Sequence, residues 1–175
     1  QRLNDIESEA NTFLSLGNVA LDQGLHAEAD AHYTRSLELS ETISDTLGYA
    51  YALDNLGVSA WHSGDLERAS RLADDVMELY QQLNIESGKA NVWHRRCLVA
   101  LELGRLEEAE DHGLRALRVR TAQGEDRGGA FVLYDLARVA LARGQPELAR
   151  TRLRQGLRLA LPHGAPVIDV LSVEG

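Results

Sequence analysis

An all-α fold, a right-handed α-α superhelix built from antiparallel helix pairs, is predicted by three observations. Gly24, Gly64, Gly104 and Gly144 stand 40 residues apart without a slip. An alanine follows each at the same distance: Ala29, Ala69, Ala109 and Ala149. The apolar residues between them recur at i, i+3, i+4 and i+7, which is helical and not alternating spacing. A strict period in this range marks a stacked-repeat protein. Most of the chain is then scaffold, and function narrows to one face of the stack.

Each element follows from the aligned repeats. A small residue opens the first helix at Ala10, Ala50, Ala90 and Ala130, and a large apolar one comes three places later at Phe13, Leu53, Trp93 and Leu133. Small residues follow at Gly17, Gly57, Cys97 and Ala137, then alanines at Ala20, Ala60, Ala100 and Ala140, then bulky Leu21, Trp61, Leu101 and Leu141. Small side chains at fixed points let neighbouring helices approach closely. The glycine ends this helix, because glycine takes the left-handed C′ conformation that other residues resist. Asp65 can cap the second helix of repeat two, and Pro146 suits the first turn of its counterpart in repeat four. The second helix carries its own stripe at Leu37, Met77, Leu117 and Leu157. Polar turns, Ser44-Asp45, Asn84-Ile85-Glu86-Ser87 and Gly124-Glu125-Asp126, separate the repeats. Helices of about 16 residues, roughly 24 Å long, are expected.

The organisation expected is a single domain over 1–175 with repeats at about 8–47, 48–87, 88–127 and 128–163. Arg2 to Ser8 reads as an inter-repeat turn whose preceding helix is missing. The tail from residue 165 to 175 starts a fifth first-helix, with Leu171 at the large apolar position and Gly175 at the small one. No polar capping helix seals that end, although solenoids normally need one, so the sequence reads as a fragment.

Composition limits function. The 175 residues include 44% hydrophobic and 26% charged residues, the balance of a globular chain. No run approaches the roughly 18 apolar residues of a membrane span, and the first residues lack the apolar stretch of a signal peptide. A single cysteine rules out an internal disulfide and agrees with a reducing cytoplasm. Net charge is −9. Residues 1–90 hold 5 basic and 16 acidic side chains, whereas 91–175 hold 13 and 11. So acidic a half would repel a phosphate backbone, which argues against direct nucleic-acid binding. Of the 18 basic residues only Lys89 is lysine, a bias that fits a GC-rich genome.

These residues resemble the tetratricopeptide repeat. Its pattern is met in Phe13, Leu16-Gly17, Ala20, Gly24, Ala29 and Tyr33, and again in Leu53, Leu56-Gly57, Ala60, Gly64 and Ala69. Repeats three and four depart at the leucine-glycine pair, with Arg96-Cys97 and Leu136-Ala137. The family's usual period is 34 and its closing proline is absent here, which makes this the longer 40-residue variety over 8–163. The linkers at 39–50 and 118–130 look like turns of bacterial maltose-regulator-type proteins, which join an ATPase, a repeat sensor arm and often a LuxR-type DNA-binding domain. Similar long repeats occur in animal spindle-orientation adaptors that clasp peptides. The arginine bias favours the bacterial resemblance, which implies a cytoplasmic sensor or protein-contact arm for signalling or transcription.

In tetratricopeptide arrays the first helices line the concave face. Their inward positions here are Asn11, Leu14 and Asn18; Tyr51, Asp54 and Val58; Asn91, His94 and Leu98; and Phe131, Tyr134 and Arg138. Asn55, Arg95 and Asp135 adjoin them at the rim. Amides can hold an extended peptide backbone, and Arg95 and Arg138 could fork onto a partner carboxylate. The lysines of the family's carboxylate clamp are absent. A protein or peptide on this groove is the expected partner. Solvated helix faces are polar in any case, so the groove is weighed as a cluster and not residue by residue.

Other chemistries find little support. The six histidines show neither H-x3-H nor HExxH spacing, Cys97 has no CxxC partner, and no metal site is expected. His32 and His112 share a second-helix position that suits surface or inter-helix packing. Cys97 stands where other repeats have a small buried residue. No phosphate-binding glycine motif is present, and no nucleophile, base and orienting group converge, so neither cofactor nor enzymatic activity is expected. Arg115, Arg118, Arg120, Arg152, Arg154 and Arg158 could form a basic ridge, although Glu107, Glu108, Glu110, Asp111 and Glu147 stand ready to pair with them. Two alternatives stay open. One is a small-molecule inducer pocket walled by Tyr51, Trp61, Phe131 and Tyr134; the other is end-to-end self-association through unsealed apolar faces.

Overall fold

A computed structural model describes residues 2–161. Eight helices follow one another: α1 (Arg2–Asp22), α2 (His26–Thr42), α3 (Thr46–His62), α4 (Leu66–Gln82), α5 (Glu86–Glu102), α6 (Leu106–Ala122), α7 (Asp126–Ala142) and α8 (Pro146–Ala160). There is no strand among the described residues. The all-α, paired-helix expectation holds. From α2 to α7 every helix is 17 residues long.

All the turns between them are alike. Gly24, Ser44, Gly64, Asn84, Gly104, Gly124 and Gly144 have positive φ, between 55° and 81°, one every 20 residues. At each, two backbone N–H groups fold back on the preceding helix. Gly24 N donates to Leu21 O and Leu25 N to Ala20 O, both at 2.9 Å, and the same pair recurs through Gln145 N to Ala140 O. This is the Schellman arrangement, which satisfies carbonyls a helix end would otherwise leave open. Asp45 and Asp65 cap the helices that follow, accepting from Gly48 N and Arg68 N at 3.0 Å. Pro146 opens α8 as its fixed φ and missing N–H allow.

Two details differ from the sequence-based expectation. Glu86, Ser87 and Asp126 lie inside helices, so the inter-repeat turns are only three residues long. Residues 2–8 are the first two turns of α1 and not a turn between repeats. They contain neither glycine nor proline, and Asp5 suits the positive end of a helix dipole. The chain is described as two compact units, with the boundary between Gly88 and Lys89, at the start of the third repeat. The fifth-repeat start at 165–175 and His163 lie outside the described residues.

In the first unit, Tyr33 of α2 fills the space above Gly17 of α1. A Cβ on Gly17 would stand 2.4 Å from the tyrosine ring, so only glycine admits it. Ala20, Ala29, Tyr33 and Leu56 form the core, with Leu14, Leu37 and Leu53 against it. In the second unit Gly113 plays the same part for Leu136 and Cys97. Cys97, Ala100, Ala109 and Val139 form one cluster, and Ala116, Val132 and Leu136 another beside Trp93 and Leu117. The periodic alanines Ala29, Ala69, Ala109 and Ala149 are all buried. Small residues therefore set how closely the helices approach, and dispersion between well-packed side chains does the rest.

Candidate functional site

The first-helix faces of the two units are the candidate site, and each is described by itself. In the first unit, Asn11, Asn18 and Tyr51 are exposed, and Asn55 and Val58 half-buried. Asn18 is partly committed, because its Oδ1 accepts from the Tyr33 hydroxyl at 2.9 Å. Burial, then the charges of Asp22 and Asp30, push that hydroxyl up to about 12, so it stays a donor. Leu14 packs on the Tyr33 cluster. Asp54 departs from the expected groove: it is 7% exposed and accepts from the Tyr80 hydroxyl at 3.0 Å. The aromatic second helix reaches over it, making this carboxylate an internal acceptor.

In the second unit, Asn91, Phe131 and Tyr134 are exposed, while His94, Leu98 and Arg138 are half-buried. The Asn91 amide accepts from Arg120 at 2.6 Å. Asp135 lies at the centre of a polar network. His94 Nε2 is 2.8 Å from one of its oxygens, and Arg138 donates to the other at 3.0 Å. Arg138 also reaches Glu102 at 3.3 Å. The hydrogen bond it donates to Asp135 and the charges of Asp135 and Glu102 raise the Arg138 pKa further above its ordinary value. Arg95 is 4% exposed and therefore lies inside, not on the rim. The expected fork of Arg95 and Arg138 onto a partner carboxylate meets this geometry poorly: one guanidinium is buried and the other already holds two carboxylates. Asp135 is likewise buried, and it orients His94 and Arg138 from below.

The remaining candidates resolve into packing. Three of the six arginines of the expected ridge are paired within the second unit. Arg115 pairs with Asp111 at 2.8 Å, Arg120 with Glu125, and Arg152 with Glu110. Arg96 and Arg115 also lie 4.9 and 4.8 Å from the Trp93 ring centre, and His112 stacks on that ring at 5.3 Å. His32 packs near Phe13 at 5.9 Å. No group of three or more His, Cys, Asp or Glu side chains could hold a metal ion among the described residues, and none of the helices there is long and apolar enough to cross a membrane.

Cys97 is fully buried, and burial together with the Asp135 charge pushes its thiol up to about 12. The thiolate is the reactive form. Native protein at pH 8 is therefore expected to resist iodoacetamide, with full labelling only in denaturant. Mass spectrometry of the two reactions checks this; rapid native labelling would contradict the buried placement.

The four positions one place after each opening alanine share one environment. They hold Asn11, Tyr51, Asn91 and Phe131, and all four are exposed. Each unit thus presents one amide and one ring from equivalent places on its two first helices. Sequence reasoning found these positions, but could not see that position four carries packing duty in Leu14 and Asp54.

The family pattern described as the tetratricopeptide repeat matches residues 8–82 and 88–161. No curated protein sequence matches the chain. Solved structures that share the fold include the following two. BtubC (BKLC) from P. vanneervenii is 19% identical with a TM-score of 0.73, over 86% of this chain and 63% of that one. The apo form of RapI is 18% identical with a TM-score of 0.77, over 87% of this chain and 56% of that one. The chain therefore spans a little more than half the length of these structures, and identities this low speak for fold alone.

Proposed function

Because the chain belongs to the tetratricopeptide-repeat family, whose repeats mediate contacts between proteins, we propose that it is a non-enzymatic module holding an extended protein segment against its first-helix faces. In this reading it is the sensor or contact arm of a larger bacterial signalling or transcriptional regulator in the cytoplasm. The observation that carries the binding role is the exposed amide and ring in each unit, Asn11 with Tyr51 and Asn91 with Phe131. Tyr51 is 41% exposed and Phe131 57%. Large rings left outside a core are characteristic of recognition surfaces, where they contribute area at little entropic cost. Asn55, Val58, His94, Leu98, Tyr134 and Arg138 adjoin them.

The partner's charge follows from the first unit. Residues 1–90 carry a net −11, which favours a segment bearing Lys or Arg between apolar anchors through steering and complementarity. Selection of random peptides displayed on phage against the 175-residue chain tests this. Enrichment of basic residues beside aromatic or aliphatic ones is expected. Tyr51→Ala and Phe131→Ala should each weaken the selected peptides about tenfold or more, as loss of an anchor does, with the melting temperature unchanged. Peptides that bind both variants as well as the parent would sink the assignment.

A further inference from the structure

Gly48, Gly88 and Gly128 recur at 40 near the start of α3, α5 and α7, and each faces the last turn of the preceding second helix. The side chain that meets the glycine differs from repeat to repeat. Over Gly88 lies the Tyr80 ring, 2.7 Å from where a Cβ would stand, and the turn between them carries apolar Ile85. Over Gly128 lies the Arg120 guanidinium, at 2.5 Å, and the turn carries Glu125. Arg120 forks between Glu125 and the Asn91 amide oxygen. An apolar turn is thus matched by a ring, and a carboxylate by a guanidinium.

The first repeat keeps the receiving side of the arginine arrangement and lacks the arginine. Asp45 stands at the place of Glu125 and Asn11 at that of Asn91, but the place of Arg120 holds Ser40. Asp45 spends one oxygen, Oδ1, on capping Leu47 N and Gly48 N at 3.1 and 3.0 Å. A Cβ on Gly48 would collide with the other oxygen, Oδ2, and with Ser40 Oγ, so both border the space over the glycine. Ser40 is 1% exposed and its Oγ has no hydrogen-bond partner. Ser36, one turn earlier, gives its proton to the Ala10 carbonyl at 2.8 Å. A buried hydroxyl left unpaired is costly, and this one borders a hollow of about 240 Å³ walled also by Glu41, Asp45 and Tyr49. Arg35 serves Glu9 and Glu38, Arg68 serves Asp30 and Arg71 serves Glu67, so none of the three lines the hollow.

We propose that this hollow is a socket for an arginine side chain of a partner protein. The incoming guanidinium takes the place over the glycine that Arg120 holds in the third repeat, with Asp45, Asn11 and the Ser40 hydroxyl as its acceptors. Glu41 and the negative end of the α2 dipole add to the attraction, and the Tyr49 ring supplies a surface for stacking. An ammonium group is a compact point charge without the planar fork, so lysine is the weaker fit. The source of the arginine, a protein segment, rests on the recognition proposed above. The socket itself does not, and a free arginine derivative probes it alone.

Two measurements keep socket and partner apart. In the first, Nα-acetylarginine N-methylamide is titrated into the isotope-labelled 175-residue chain and followed by NMR. Saturable shifts are expected at the amides of Ser40, Asp45 and Gly48, with the lysine analogue at least about threefold weaker. Asp45→Asn keeps the helix cap and should weaken the titration about fivefold. Ser40→Arg should fill the socket from within, as Arg120 does, abolishing the shifts and raising the melting temperature. Absence of saturable shifts, equal response to the two derivatives, or an undiminished response in either variant would overturn the socket. In the second, phage-selected peptides that contain arginine should bind Ser40→Arg about tenfold more weakly than the parent. Undiminished peptide binding with the titration intact would assign the socket to a free guanidino compound and overturn the partner segment. If instead Tyr51→Ala and Phe131→Ala left peptide binding untouched while the titration held, the first-helix reading would fail and the socket would stand.

Discussion

Tyr33→Ala is expected to destabilise the first unit by about 3–5 kcal/mol, the usual cost of emptying a large aromatic site. Tyr33 is fully buried, and its ring occupies the space that Gly17 leaves open. Removing it strands the α1–α2 interface with a cavity that the rigid Schellman turn at Gly24 cannot close by sliding the helices. Tyr33→Phe should cost only about 1 kcal/mol, since it gives up just the 2.9 Å hydrogen bond to Asn18. Urea unfolding followed by circular dichroism measures both. If the two variants lost equal stability, the hydroxyl and not the ring would hold the interface, and the packing account would fail.

Glu110→Ala is the second large effect, at about 3 kcal/mol, the low end for breaking a buried ion pair. Glu110 of α6 receives both Arg143, from the turn after α7, and Arg152 of α8. Arg152 is nearly buried and also donates to the Leu136 carbonyl at 2.8 Å. Without the carboxylate, that guanidinium keeps its charge but loses its counterion in a poorly solvated place. Glu110→Gln, which preserves hydrogen-bond acceptance, should fall between parent and alanine. Stability of Glu110→Ala within about 0.5 kcal/mol of the parent, the range of ordinary surface changes, would show that the cluster is effectively solvated.

The helix ends were legible because glycine at C′ has a local cause that needs no knowledge of neighbours. Ser44 and Asn84 take the same left-handed conformation, and asparagine at least is a known substitute there. The start of α1 was missed for the converse reason: residues 2–8 were assigned by alignment to a turn, while their own composition permits helix. The exposure of the candidate face was half legible. Periodicity names the positions that point away from the partner helix, and Asn11, Tyr51, Asn91 and Phe131 are indeed exposed. It cannot tell which of them a neighbouring side chain will cover. Asp54 is taken inward by the long reach of Tyr80, and Asp135 by His94 and Arg138. The Tyr80–Asp54 and His94–Asp135 contacts join residues 26 and 41 apart and depend on the helix arrangement within each unit.

The spacing of the turns has a consequence for how such a chain can change length. From α2 to α7 each step is a 17-residue helix plus three residues of turn, so within each unit a helix enters its neighbour's surface at a set rotational angle. Inserting one residue into a helix turns everything beyond it by about 100°, which would carry an alanine stripe to solvent and a charged face into the interior. Adding 20 residues would restore the angle but exchange first helices for second ones. Only 40 restores both. The molecule behaves like text read in a frame: duplication of whole units is tolerated, and a single slipped letter garbles all that comes after it.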